Sequence, residues 1–147
     1  TTATLLRERL GRQTMLVSQD VVRREILWVH DTEGNPSIDL LYEMCLYGNR
    51  IGRAVILEGI LSKKKYDQMI SRLIADFDGP VYVFYFDVPF DETVRRHQTK
   101  PNAHEFGEDK IRQWWLEKDY LGVDGEIILG PELTQEEIVQ QIVRTVQ

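Results

Sequence analysis

The chain has 147 residues, 42% of them hydrophobic and 29% charged, which is the size and composition of one globular domain and not of a disordered tail. Its 18 basic and 24 acidic residues leave a formal charge of -6, so nothing supports broad binding to nucleic acid or to an anionic membrane, and only a local basic patch could serve such a partner. The single cysteine excludes an internal disulfide framework and fits a reducing, cytoplasmic setting. No apolar run approaches the roughly 18 residues that cross a bilayer, and no signal-peptide core opens the chain.

In chain order, residues 3–10 place Ala3, Leu6 and Leu10 on one helical stripe, with Gly11 as a natural stop. Met15-Leu16-Val17 is a short apolar run followed by Ser18-Gln19-Asp20. A second amphipathic helix is expected over 21–30, with Val22, Ile26 and Val29 inward. The turn chemistry of 31–36 predicts a loop, after which Ser37 caps a helix through Tyr47 with Leu40, Leu41, Met44 and Cys45 inward.

The run 54–57 reads as a strand buried on both faces, leading into Glu58-Gly59. Ser62 is placed to cap a helix carrying Tyr66, Met69, Ile70, Leu73 and Phe77, and Gly79-Pro80 ends it. Residues 81–86 are rich in β-branched and aromatic side chains and give the strongest strand signal. Helices are expected over 90–98 and 108–118, and a short strand over 126–129. Thr134 and Glu137 form a capping box for a final helix with Ile138, Ile142 and Val146 inward. Alternating helices and buried strands predict an α/β sheet sandwiched between helices, with neither a repeat nor a linker to divide the chain. A ligand in such a sheet binds at the carboxyl ends of the strands. That places Asp20, Glu58 and Asp87 first among the polar residues.

Each has a bland reading beside the functional one. Asp20 precedes a helix and could be only its N-cap. Glu58 ends a strand, where a carboxylate needs a partner: Mg²⁺, or a nearby Lys or Arg. Asp87, ahead of Pro89, is first a turn residue. Arg95, Arg96 and Lys100 are three cations within six residues, running into the polar loop 99–107, with Arg112 just beyond. They suit a phosphate clamp, against the alternative of a solvated helix face. Lys63-Lys64-Lys65 opens a helix where the dipole disfavours cations, so it is read as a solvated face and only secondarily as an anion contact. The three histidines have no metal-ligand spacing, and Trp114-Trp115 reads as helix packing.

Several of these segments resemble one family. Thr1-Thr2 leading into 3–11 is similar to the end of a Walker A motif and its helix. Ser18-Gln19-Asp20-Val21-Val22-Arg23-Arg24 resembles the D-x-x-R segment after the second strand of small P-loop kinases. Val55-Ile56-Leu57-Glu58-Gly59 looks like their Walker B-type strand, and 86–97 like the fourth strand and the start of an arginine-bearing lid. Taken in order, these residues resemble the P-loop small-molecule kinases, the group that takes in uridine-kinase-like proteins, chloramphenicol phosphotransferase and zeta toxin.

That resemblance implies a single kinase-like domain over 1–147: a three-layer sandwich with a mainly parallel five-stranded sheet and a lid near 95–118. It implies ATP- and Mg²⁺-dependent transfer of the γ-phosphoryl group to a hydroxyl of a small molecule, a nucleoside among the candidates. Residue by residue, Thr1 matches the Walker A hydroxyl on Mg²⁺, with Thr2 beside the nucleotide, and Glu58 matches the Walker B region, where the family more often has Asp. Asp20 matches the catalytic carboxylate at the acceptor hydroxyl, and Arg23 and Arg24 the cations that hold the acceptor. Arg95 and Arg96 match the catalytic lid, and Lys100 and Arg112 further contacts to the nucleotide. The glycine-rich loop, its lysine and the strand before it would precede Thr1, so the 147 residues are expected to be a portion of a longer protein. By themselves they are expected to be inactive, with two strand edges left unpaired. The alternatives are a nucleotide-sugar or antibiotic phosphotransferase, and a nucleotide-binding regulatory module without turnover. A plain interaction domain is the remaining class, and nothing in the pattern sets an oligomeric state.

Overall fold

Two parallel strands tie the first unit of the protein together. The computed structural model describes residues 1–86 and 125–147. These fall into two compact units, 1–82 with 135–147, and 83–86 with 125–134. In the first, β1 (Met15–Ser18) pairs in parallel with β2 (Val55–Glu58), so that Met15 faces Val55 and Ser18 faces Glu58. Parallel partners need a long crossover. Here it holds a π-helical turn (Val21–Ile26), a loop and the helix α2 (Pro36–Arg50). β2 is half-buried along its length and not fully buried as expected, and β1 is its one partner strand among the described residues.

The helix α1 (Thr2–Leu10) ends at Gly11 as its sequence predicts, and Thr1 caps its start by accepting the Thr4 N–H at 3.2 Å. It packs against β1, β2 and α4 (Gln135–Val146), burying Leu6 against a face that includes Ile138, Val139 and Ile142. An ion pair between Arg9 and Glu136 joins the two helices at the surface and holds the Glu136 carboxyl below its ordinary range.

The expected helix over 21–30 is shorter and wider. The Leu27 N–H reaches back to the Val22 carbonyl at 3.0 Å and the Val29 N–H to the Arg23 carbonyl at 2.9 Å. Rings of that size break the 3.6-residue period, so Val22 is buried while Ile26 is 56% exposed. Trp28 sits at φ 56, which no helix continues through. The cap of α2 is Asn35 and not Ser37: Pro36 takes the first helical position, where its missing N–H costs nothing, and the Asn35 side chain accepts the Ser37 N–H at 3.0 Å. Ser37 is buried instead. Leu41 and Cys45 face inward as expected, joined by Tyr42 and Gly48, while Leu40 and Met44 are only half-buried.

The helix α3 (Lys63–Asp76) buries Tyr66, Met69, Ile70 and Leu73 of the apolar face its spacing predicts, while Phe77 lies just past its end in an extended conformation and is half-buried. Its Asp76 takes the Tyr42 hydroxyl hydrogen bond, and the Arg72 guanidinium lies 4.3 Å from the centre of the Tyr42 ring, so α2 and α3 are locked side by side.

In the second unit, β3 (Phe84–Phe86) pairs in parallel with β4 (Ile127–Leu129), Phe84 facing Ile127. The strand expected over 81–86 is thus half as long. The Ile127 N–H bonds the Val83 carbonyl at 2.8 Å and the ladder begins there; Val81 and Tyr82 have strand-forming side chains but no pairing partner among the described residues, and they are exposed. The described strands pair two by two, and one continuous five-stranded sheet is not seen among them. The helices expected over 90–98 and 108–118, and the lid, lie outside the described residues.

Two outcomes follow from the packing of α2. A Cβ placed on Gly48 would lie 2.6 Å from Val55 Cγ2 and 2.7 Å from Met15 Sδ, so a glycine at this position lets the helix lie close against the sheet. Gly48→Val is expected to cost about 2 kcal/mol or more in urea denaturation. Burial pushes the Cys45 thiol up to about 11, so it should resist a thiol reagent at about pH 8 in the native protein and react once the chain is unfolded. Rapid native labelling would contradict that packing.

Candidate functional site

The turn 11–14 is short and α1 touches β1, so helix and strand run antiparallel, and the first turn of α1 returns to the end where β1 finishes. β2 is parallel to β1, so Glu58 finishes at that end too. The topology therefore gathers Thr1, Thr2, Asp20, Arg23, Arg24 and Glu58 at one edge of the first unit. Ser18 and Glu58 are direct register partners. Arg95, Arg96, Lys100 and Arg112, with Asp87, lie outside the described residues.

Asp20 is not a helix cap: its side chain makes no capping hydrogen bond. Its two oxygens lie 3.3 Å from Arg23 Nη2 and 3.6 Å from Arg24 Nη1 instead, so the three site residues predicted for this segment form one charged cluster within a single turn. Asp20 and Arg24 are well exposed; the Arg23 side chain is largely buried. Arg23 Nη1 donates to the Val29 carbonyl at 3.2 Å, while its Nε is buried with no partner among the described residues.

Thr1 and Thr2 stand at a helix start, and their hydroxyls are engaged locally. Thr1 Oγ1 bonds the N–H and, at 2.8 Å, the hydroxyl of Thr4, while Thr2 Oγ1 accepts from the Gln135 side-chain amide at 3.4 Å. Thr1 and Glu58 offer a hard, all-oxygen donor set. That suits Mg²⁺ of the kind held by one or two protein oxygens with substrate phosphates completing the shell. Among the described residues no cluster of three or more His, Cys, Asp or Glu could cage a metal without such help.

Beneath this edge lies a network that sequence reasoning missed. Gln19 is buried, and its amide donates to the Tyr66 hydroxyl at 2.9 Å; Tyr66, fully buried, donates in turn to Asp31 Oδ1 at 2.6 Å. Asp31 Oδ2 lies 3.3 Å from Lys65 Nζ, and Lys64 lies 3.4 Å from Glu33. Lys64 and Lys65 are thus not simply a solvated face: acidic residues of the loop 31–36 reach over to offset the cations that open α3. Periodicity marked Tyr66 as core, but its hydroxyl partners sit 47 and 35 residues away and left no local pattern. Elsewhere, an open depression of about 390 Å³ lined by Arg9, Gln140, Val143, Arg144 and Gln147 lies near the far end of α1 and contains none of the residues gathered at the strand ends.

No protein-family model and no curated protein matches the sequence. A solved structure does: the Mycobacterium tuberculosis APS kinase CysC in complex with AMPPNP and APS matches at 15% identity and a TM-score of 0.72, covering 99% of this chain and 88% of that chain. The fold is accordingly an α/β fold similar to that of a P-loop kinase. The likeness does not single out the uridine-kinase-like, chloramphenicol phosphotransferase and zeta-toxin group. No helix among the described residues is long and apolar enough to cross a membrane.

Burial, then the hydrogen bond to Asp31, raises Tyr66 above the ordinary 10.0 of a tyrosine. A raised acid keeps its proton longer in the folded state, so the stability it contributes is whole below pH 10.0 and is lost as pH climbs beyond. Urea midpoints are expected to fall from about pH 9 to about pH 11, and Tyr66→Phe should make that fall shallower while lowering the midpoint at neutral pH. An equally steep alkaline fall in the variant would show that Tyr66 is not the group responsible.

Proposed function

We propose that this protein is an ATP- and Mg²⁺-dependent phosphotransferase of the P-loop kinase type, moving the γ-phosphoryl group to a hydroxyl of a small molecule. One observation carries the proposal. A fold similar to a kinase across nearly the whole chain brings Asp20, Arg23, Arg24, Glu58 and the start of α1 to the strand ends where such a sheet binds ligand. Phosphoryl transfer asks a protein for position and charge more than for covalent chemistry, and these residues supply both.

In this proposal Asp20 accepts the proton of the acceptor hydroxyl, and its exposure lets an acceptor reach it. Arg23 and Arg24 hold an anionic or strongly polar group of the acceptor; the exposed Arg24 side chain beside Asp20 favours that role. Thr1 and Glu58 would hold Mg²⁺, which when bound neutralises phosphate charge. The first turn of α1, with Thr2, faces the nucleotide phosphates with its N–H groups. Arg95, Arg96, Lys100 and Arg112 are proposed as the cations that close on the transferring group. A single domain and a cytoplasmic location belong to the same proposal. The same carboxylate–arginine cluster could serve a regulatory module that binds nucleotide without turnover, and Asp20 separates the two.

The test is calorimetric titration of ATP, with and without Mg²⁺, into the protein expressed from its whole reading frame, followed by turnover assays against nucleosides, nucleotide sugars and antibiotics. Magnesium-dependent binding and turnover are expected. Asp20→Asn should lower kcat by roughly 10²- to 10⁴-fold and leave ATP affinity nearly unchanged. No ATP binding by the folded protein would overturn the proposal, and binding without turnover on any acceptor would favour the regulatory module.

A further inference from the structure

We propose that Tyr66 is a positioning residue for the Asp20 segment: its hydroxyl, relayed through the Gln19 amide on one side and Asp31 on the other, sets where Asp20 and Arg23 stand at the strand ends. The proposal rests on the kinase reading for its catalytic consequence and on geometry alone for the tether.

The geometry fixes the direction of every hydrogen bond in the chain. An ionised Asp31 can only accept, so the Tyr66 hydroxyl spends its one proton on Asp31 Oδ1 at 2.6 Å. Its oxygen is then left to accept, and the donor is Gln19 Nε2 at 2.9 Å. Gln19 is the residue directly before Asp20, and it is 3% exposed while Asp20 projects into solvent. Gly59 closes the other side of Gln19. A Cβ on Gly59 would lie 2.7 Å from Gln19 Cβ, and the glycine holds φ 142, where a side chain is strained. Gln19 is therefore wedged between the end of β2 and α3, with a buried amide that has one good orientation. Losing the Tyr66 hydroxyl would leave that amide without its partner in a site that water does not readily enter.

What this wedge controls is the π-helical turn. Asp20 directly precedes that turn and Arg23 lies on it, and its wide rings are intrinsically less regular than α-helix and need support from outside. Arg23 itself clasps the far end of the segment through the Val29 carbonyl, at 3.2 Å. The segment is thus pinned at Gln19 and at Val29, and the first pin runs through Tyr66. Lys65, 3.3 Å from Asp31, draws the outer end of the relay to α3. None of these groups reaches the reacting atoms; they act through Asp20 and Arg23.

The test compares Tyr66→Phe, which keeps the ring, with Asp31→Ala, which removes the outer acceptor from a half-exposed position and guards against misfolding of the first variant. Hydrogen exchange is read residue by residue, and turnover is read as kcat, acceptor KM and ATP affinity. Both variants are expected to speed exchange over 20–26 by at least about tenfold while 67–73 in α3 stays protected. Where wild type turns over, both should lower kcat/KM for the acceptor by roughly 10- to 100-fold with ATP affinity within about twofold. Tyr66→Phe combined with Gln19→Ala should be no worse than either alone, since both break one relay. Unchanged exchange over 20–26, or faster exchange with full kcat/KM, would overturn the proposal. Faster exchange in a wild-type background that binds no ATP would instead overturn the kinase reading and leave the tether standing.

Discussion

The pairing of β1 with β2 is the constraint on which the candidate site depends. Because the two strands are parallel and in register from Met15–Val55 to Ser18–Glu58, both chains leave the sheet side by side. One exits into Gln19-Asp20 and the other into Gly59. An antiparallel pair would have put those exits at opposite ends. The close fit of Gly59 against Gln19 is the local consequence: two chain exits this close leave room for a side chain on only one of them.

The same pairing explains why the helices take the faces they do. α2 must cross from the end of the π-helical turn back to the start of β2, and Gly48 lets it lie directly on Val55 and Met15. α3 then packs on α2, through Tyr42 with Asp76 and Arg72, and turns Tyr66 inward at its first turn. The hydroxyl of a core tyrosine must find a partner when buried. It finds Asp31 and Gln19, and through Gln19 a residue that packs the core also touches the residue before Asp20. Stability and site geometry share an atom here, the Tyr66 oxygen.

Much of the first unit was legible in the sequence because its signals are local. The stripe of α1, the stop at Gly11, the inward face of α3 and the strand after Ala54 each sit within one window and survive folding. Other signals failed where a competing interaction decided. Ser37 looked like a cap until Pro36 moved the helix start onto Asn35. Val22, Ile26 and Val29 had helical spacing, but the chain chose wider rings. Val81 and Tyr82 had strand propensity, yet the ladder with β4 begins at Val83. In each case the residue types were right for the element and a neighbour set its boundary.

The site shows the same division between local and distant information. Asp20, Arg23 and Arg24 could be picked out because they lie within one turn, and the structure does bring them into contact. Asp31 was invisible as a functional residue, since in sequence it is only the start of a polar loop. Its importance comes from Lys65 and Tyr66, 34 and 35 residues later, which fold back onto it. The lysine run was legible only in part: Lys63 and Lys64 are exposed, as a solvated face requires, but the pairings of Lys64 and Lys65 come from residues more than thirty positions away. With Glu33 and Asp31 beside them, Lys64 and Lys65 become the anchor of a loop. A carboxylate placed over the start of α3 by Lys65 is also the carboxylate that orients the Tyr66 proton. The charge pattern of the α3 N-terminus therefore reaches the Asp20 segment through one carboxylate, one phenol and one amide, each with a single sensible hydrogen-bond direction.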